Sequence, residues 1–378
     1  MNPIPVCDPA AGIRAQQAAI SAAMQRVLVS NRYILGPEVE AFEAEFAAWC
    51  GQRHAVGVAN GMDALVLALR ALEVGPGDTV LTVSMTATAT VAAVRAVGAT
   101  PVLVDVCADS ALMDPQRVAD ALEHWPGELP RPRVIVPVHL YGQPCAMDRL
   151  AALARDHGAA LLEDCAQAHG ARFDGQRVGG FGRLATYSFY PTKNLGAVGD
   201  GGALVTDDES LAARLRRLRQ YGWSAPQWAE EAGLNSRLDE LQAAILRVRL
   251  PALDAANARR RAIAAQYDAA FAALPAERFR PLPRDARSEP VYHQYACQSP
   301  EREALRAWLA ERGIGTGIHY PHPVHRQPGY RDAVRLGHGG LPQTERIATE
   351  TLSLPMYPEL PDTDVAQVAA AVCDYLRR

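Results

Sequence analysis

Apolar residues change their period along this chain, and each change marks an element. Val39, Phe42, Phe46 and Trp49 recur at helical spacing behind Gly36-Pro37 and ahead of Gly51, which predicts an amphipathic helix with a proline start and a glycine stop. From about residue 54 to about 206 short apolar runs alternate with helical stretches, and Gly, Pro and Asp punctuate them. The runs predict strands at 54–59, 79–83, 101–105, 134–138, 159–163, 184–188 and 202–206, with helices filling the gaps. Strands that are apolar throughout need cover on both faces, so the pattern predicts an α/β fold with a mostly parallel central sheet. A ligand of such a sheet sits beyond the carboxyl ends of its strands.

The stretch from 207 to about 271 reads as mostly helical, broken at 222–233 and at Pro251. Pro281, Pro283 and Pro290 then mark a composition shift into a smaller α+β region. The expected division is a large domain over 1–254, made of an N-terminal segment plus the central sheet, and a small C-terminal domain over 255–378.

Composition changes this picture little. The chain has 378 residues, 49% of them hydrophobic and 21% charged, which suits a globular protein with a large core. A formal net charge of -4 gives no general reason to hold nucleic acid or an anionic membrane, so any phosphate site must be built locally. No run of about 18 apolar residues occurs, and Met1-Asn2-Pro3-Ile4-Pro5 lacks the order of a signal peptide. A cytoplasmic protein is expected, and the seven scattered cysteines, never spaced as CxxC, read as reduced thiols.

The chemistry concentrates in three segments. Ser188-Phe189-Tyr190-Pro191-Thr192-Lys193-Asn194-Leu195-Gly196 puts one lysine in a loop after a strand, where a lysine kept partly neutral can form an imine with an aldehyde cofactor. Thirty residues earlier, Glu163-Asp164-Cys165-Ala166-Gln167-Ala168-His169-Gly170 sets an acid at the end of an apolar strand. A pyridoxal enzyme needs a carboxylate facing its pyridine nitrogen, and Asp164 fits, with Gln167 in reach of the phenolic oxygen. Asn60-Gly61-Met62-Asp63-Ala64 turns a strand into a helix whose first N–H groups suit a phosphate, to which Ser188 could add a hydroxyl. Each feature has a plain alternative: a surface lysine, a helix-capping aspartate, an ordinary strand-to-helix turn. Their combination is what favours the chemistry.

Together with Ile34-Leu35-Gly36-Pro37-Glu38-Val39, Asn235-Ser236-Arg237-Leu238-Asp239-Glu240-Leu241-Gln242 and Leu354-Pro355-Met356-Tyr357-Pro358, these segments resemble the DegT/DnrJ/EryC1/StrS family of sugar aminotransferases over nearly the whole chain. The resemblance implies the aspartate aminotransferase type I fold and pyridoxal 5'-phosphate as cofactor. It implies that Lys193 is the Schiff-base lysine, that Asp164 pairs with the ring nitrogen, and that Ala166 and Gln167 flank the ring. Gly61, Met62, Asp63 and Ser188 would lie at the phosphate end, with Asn235 reaching in from the second subunit of a homodimer that shares its active sites. Many relatives carry an aromatic residue over the ring where this chain has Ala87, so either Met85 or a residue elsewhere covers that face, or it stays more open.

The implied reaction moves an amino group from glutamate to a nucleotide-linked keto sugar in amino-sugar biosynthesis. Asn235-Ser236-Arg237 resembles members acting on 3-keto sugars, which points to a dTDP-3-keto-6-deoxyhexose; 4-keto sugar transfer and a catalytically silent, sugar-nucleotide-binding regulator are the alternatives. Tyr221, His319 and Tyr320 are candidate substrate contacts by the same resemblance. His319, His322 and His325 recur every third residue, but Pro321 and Pro323 forbid the helix that would align them, so no metal is expected. Arg214, Arg216, Arg217 and Arg219 read as a solvated helix face.

Overall fold

The computed structural model describes residues 3–378. Seven strands form where the apolar runs lie: β1 (His54–Val58), β2 (Thr79–Val83), β3 (Thr100–Val104), β4 (Val134–Ile135), β5 (Ala160–Asp164), β6 (Leu184–Ser188) and β7 (Gly202–Thr206). Their order across the sheet is β1-β7-β6-β5-β4-β2-β3, and the short strand Arg335–Leu336 joins the β3 edge in parallel.

Neighbours pair in parallel from β6 through to β3, but β7 runs antiparallel to both β6 and β1. The stretch joining β6 to β7 holds no helix and carries the lysine loop. The expectation of a helix in every gap fails there and again between β5 and β6, which pair in parallel although the short strands Arg172–Phe173 and Gln176–Arg177 take the place of a helix. β4 is also shorter than its apolar run, although Val136 N still donates to Leu81 O at 2.8 Å.

Helices cover both faces of the sheet. α1 (Pro37–Cys50) starts on Pro37, stops at Gly51 in the left-handed region (φ 75°), and buries Val39, Phe42 and Phe46, as its period predicts. Its first N–H groups are taken up from a distance. The buried carboxylate of Glu240, on the first turn of α4 (Glu240–Arg249 once α2, Gly61–Ala71, and α3, Thr88–Ala96, are counted), accepts from Gly36 N at 2.8 Å, Glu38 N at 3.0 Å and Val39 N at 2.9 Å. An acid there satisfies orphan donors and faces the positive end of the helix dipole.

Beyond α4 the long helix α5 (Leu253–Phe271) leads into a three-stranded antiparallel sheet of β8 (Arg280–Pro281), β9 (Tyr295–Gln298) and β10 (Thr351–Leu354), in that order. Tyr267, Phe271, Phe279 and Leu352 build a second core beneath it. The start of the chain joins this second core and not the first: Ile4 is buried in it and bridges to Ile314, and Met356 N donates to Val6 O at 3.0 Å. The N-terminal segment is thus split, which departs from the expected grouping of all of 1–254 with the central sheet. Among the described residues no helix is long and apolar enough to cross a membrane.

Candidate active site

The carboxyl ends of β5 and β6 and the start of α2 converge on one edge of the sheet. β5 ends in Glu163 and Asp164, and strand alternation sends their side chains to opposite faces. Glu163 turns to the turn at 179–182, where it accepts from Gly179 N, Phe181 N and Gly182 N at 2.7–2.8 Å and lies 3.2 Å from His139 Nε2. With Cys165 these two form a compact group of metal-ligand types. The Glu163 carboxylate and His139 are already engaged, however, since His139 Nδ1 accepts from Cys145 N at 3.0 Å.

Asp164, also buried, accepts from Thr90 Oγ1 of α3 at 2.9 Å on one oxygen and from Ala166 N at 3.1 Å on the other. Burial raises its carboxyl above the ordinary value, opposed by these two hydrogen bonds and by the charge of Lys193. The same pairing seen from the other side leaves Lys193 poised. Desolvation pulls its ammonium down to about 8, only partly offset by Asp164, so amine and ammonium coexist near neutrality. The lysine loop is fixed by Lys193 N donating to Tyr190 O at 2.8 Å and by the Asn194 amide donating to Asn257 Oδ1 and Val291 O, each at 2.9 Å.

The start of α2 presses on the end of β6. A Cβ on Gly61 would lie 2.6 Å from Ser188 Cβ, so only glycine lets the helix start come this close to the serine. Asn60 Oδ1 takes Asp63 N at 2.8 Å, while the N–H groups of Gly61 and Met62 in the first turn have no acceptor within the helix. Ser188, Gly61, Lys193 and Asp164 present groups that could hold a phosphorylated pyridine aldehyde: N–H and hydroxyl donors for an anion, an amine and a carboxylate.

Other expected residues fall in less direct places. Gln167 is spent on the protein itself: its Oε1 accepts from Tyr141 N at 2.6 Å and its Nε2 donates to Tyr320 OH at 3.1 Å. Burial pushes the Tyr320 phenol up to about 12, so it stays protonated. His319 faces Ser353 Oγ at 3.0 Å, and burial and Lys193 hold its imidazole down to about 4. Ala166 and Ala87 are half-buried, Ala87 as the residue capping α3, while Met85 is wholly buried in the sheet core and does not supply the missing cover.

Asn235 and Tyr221 lie together on an exposed stretch, where Tyr221 N donates to Leu234 O at 2.8 Å and Asn235 bridges to Gln220. None of their recorded contacts reaches the lysine loop of the same chain. The three histidines at 319, 322 and 325 diverge: His325 is buried between Ser84 (2.8 Å) and Glu345 (3.1 Å), and His322 is exposed. Arg219 is not solvated as expected but buried in an ion pair with Glu43, and Arg214 and Arg217 both pair with Glu231. Two residues were missed. Thr90 stands in a Thr/Ala-rich run with no distinctive spacing. His293, buried close enough to feel the Lys193 charge, stands beside no motif.

A half-buried lysine that feels the charge of a buried carboxylate, at the carboxyl ends of a doubly covered sheet beside a helix start, fits a pyridoxal-phosphate aminotransferase of fold type I, the class of the solved structures that superpose on this chain. The comparisons agree. Residues 14–373 match the DegT/DnrJ/EryC1/StrS aminotransferase family. The chain is 48% identical over 99% of its length to the dTDP-3-amino-3,4,6-trideoxy-alpha-D-glucose transaminase of Streptomyces venezuelae, of which 97% is covered. It is 40% identical to the pleiotropic regulatory protein of Geobacillus stearothermophilus, with 99% of each covered. The crystal structure of S. venezuelae DesV in complex with a ketimine intermediate superposes with a TM-score of 0.95 at 47% identity, covering 100% of both chains. This chain belongs to the DegT/DnrJ/EryC1/StrS aminotransferase family.

Proposed function

We propose that the protein transfers an amino group from glutamate to a dTDP-linked 3-keto-6-deoxy sugar, working as a homodimer in the cytoplasm. The observation that carries this is the half-buried Lys193, drawn down to about 8 by desolvation within reach of the charge of the buried Asp164 at the end of β5, in a chain 48% identical to a dTDP-3-amino sugar transaminase. Lys193 would hold the cofactor, Asp164 would face its ring nitrogen, and the Gly61 and Met62 N–H groups with Ser188 would hold its phosphate. Asp63 caps nothing itself and would lie beside that phosphate end. Ala166, Ala87 and Gln167 would border the ring, Gln167 through Tyr320. The bound cofactor supplies an electron sink for the carbon that loses its proton.

The residues do the rest. A lysine titrating near 8 takes a proton at Nζ from the donor's alpha carbon and returns one to the cofactor's aldehyde carbon, and runs the same transfers in reverse on the sugar. Asp164, kept from further protonation by Thr90 and Ala166, holds a proton on the ring nitrogen. Asn235 and Tyr221 are exposed, which leaves them free to reach a partner's site. His319 and Tyr320 would meet the sugar.

The test is a spectrum followed by a product. Protein mixed with pyridoxal phosphate should be yellow, lose the band on adding glutamate, and then aminate a 3-keto nucleotide sugar, with the new carbon-nitrogen bond located by NMR. No bleaching sinks the transaminase reading. Bleaching with amination only at carbon 4 overturns the sugar assignment, and bleaching with turnover of no keto sugar favours a binding protein.

A further inference from the structure

Two buried asparagines tie the lysine loop to the turn that follows Asp164. Asn257, on α5, donates from Nδ2 to His169 O at 2.8 Å, and its Oδ1 accepts from Asn194 Nδ2 at 2.9 Å. Asn194 Nδ2 also donates to Val291 O at 2.9 Å, Val291 N donates to Gly142 O at 2.9 Å, and Tyr141 N donates to Gln167 Oε1 at 2.6 Å. These bonds close a ring that leaves the turn at Gln167 and returns to it at His169. Lys193 directly precedes one member of the ring, and the turn it holds starts at Asp164.

The ring has little slack. Gly170 sits in the left-handed region (φ 89°), and a Cβ on it would lie 3.0 Å from Asn257 Nδ2, so the glycine is what lets the amide in. His169, whose carbonyl takes that amide, packs its imidazole against Tyr187 and Phe189 with ring centroids 5.3 and 5.9 Å away. Every residue of the ring is buried, and breaking one bond strands its partner, so the ring resists loosening. Three residues along α5, Arg260 donates to Tyr292 O at 3.0 Å and Met356 O at 3.1 Å, which pins the helix itself to the second core.

The tightness of this link bears on the amine. The ionisable groups that feel Lys193 are Asp164 from β5, His169 from the turn, His293 ahead of β9, and His319. Lys193 also borders a cavity of about 340 Å³ to which the two ends of the chain bring Asp8 and Glu359, and α4 and α5 bring Arg249, Arg259 and Arg260. Burial keeps the three imidazoles neutral, His169 down to about 3, His319 to about 4 and His293 well below its ordinary range. Asp164 is thus the charge that acts on Lys193, against the desolvation that draws the ammonium down. A looser loop would admit water and return the lysine toward its ordinary 10.5.

We propose that Asn257, acting through Asn194, is a positioning residue that draws the lysine loop onto the turn after Asp164 and so keeps the Lys193 amine available at neutral pH. This rests on the aminotransferase reading, in which that amine carries the cofactor. Asn257 touches neither cofactor nor substrate; it acts by keeping Lys193 dry and close to its carboxylate. The lysine of the central sheet is thereby held in part from a helix that is pinned to the second core.

The test is a pH profile on the full chain. The rate at which cofactor-free protein forms its imine with pyridoxal phosphate, read from the yellow band between about pH 6 and pH 10, should rise with a midpoint near 8 in the parent. Asn257→Leu, of similar volume but without the hydrogen bonds, should move that midpoint up by about half a pH unit or more, which lowers the rate at pH 7 by about threefold. Asn194→Ala cuts the same link from the loop side and should do the same, so the proposal stays open to test if one variant does not fold. Tyr267→Phe, which loses a bond to Pro355 O on the same helix, should lower the thermal midpoint and leave the pH midpoint in place. Asparagine variants that melt lower yet keep the parent's pH midpoint would show that the pair serves the fold alone, and would overturn the proposal. A parent that forms no yellow band would instead sink the aminotransferase reading itself.

Discussion

The hydroxyl of Thr90 donates to Asp164 Oδ2 at 2.9 Å and itself meets Thr86 Oγ1 at 2.9 Å, so the first turn of α3 helps to hold the carboxylate at the end of β5. Hydrogen bonds to a charged group contribute about 1.5–3 kcal/mol, and this one acts against the burial that raises Asp164. Thr90→Val should raise the Asp164 carboxyl further and weaken cofactor binding by about tenfold or more. Equilibrium titration with pyridoxal phosphate at pH 6 and pH 8 checks it, with the larger loss at pH 6, where more of the carboxyl is protonated.

Asp164 itself should be a burden on the empty fold. Its folded value is raised above the 3.8 of a free carboxyl, so the unfolded chain releases its proton first and the native state loses stability as pH climbs from about 4 through the folded value. In cofactor-free protein, Asp164→Asn should therefore melt no lower than the parent at pH 8, while cofactor-loaded activity is lost. A midpoint several degrees below the parent at pH 8 would contradict this.

Lys193 gives the opposite slope. Its folded value of about 8 lies below the 10.5 of a free lysine, so the unfolded chain binds the extra proton between those limits and stability rises with pH across that window. The full effect is at most about 3 kcal/mol. Lys193→Met should flatten this rise in a pH series of denaturant melts of the cofactor-free protein, and should cut transamination by more than about 10²-fold.

Gly61→Ala would place a methyl 2.6 Å from Ser188 Cβ, with the Ser188 Cα only 3.3 Å away, so neither neighbour can step aside cheaply. The expected cost is about 1–3 kcal/mol of overpacking, read as a lower melting temperature, together with weaker cofactor affinity as the cradle opens. Affinity unchanged within twofold would remove the helix start from the cofactor's phosphate.

The buried pair of Glu43 and Arg219 stitches α1 to the sheet, since Glu43 also accepts from Gly57 N at 2.8 Å and Arg219 donates to Gly57 O at 2.8 Å. Arg219→Met should cost about 3–5 kcal/mol by stranding a charge, and adding Glu43→Gln should recover part of it. A double-mutant cycle by denaturant unfolding measures the coupling.

Much of this was legible in the sequence because the period of apolar residues is a direct record of burial. All seven strands of the large sheet, the helix on Val39, Phe42 and Phe46, and the meeting of Lys193, Asp164, Ser188 and Gly61 follow from patterning and short motifs. The reversed direction of β7 was not legible, since the helix-free connection after Ser188 is matched by another before β6, which runs parallel to β5. Long-range pairing was not legible at all. Nothing local distinguishes the buried Arg219 from the half-exposed Arg217, because the difference lies in Glu43, 176 residues away. His293 escaped notice for the same reason, since its neighbours are supplied by four distant segments.

The attachment of the chain's first residues to its last core governs when a working site can exist. Ile4 and Val6 are anchored by Ile314 and Met356, and the wall beside Lys193 draws on residues from both ends of the chain. During synthesis the central sheet can close once β7 emerges, yet the space beside the lysine takes shape only when the ribosome has released nearly the whole polypeptide. A truncated product would carry the lysine and the carboxylate and still lack the wall that both ends of the chain build beside them.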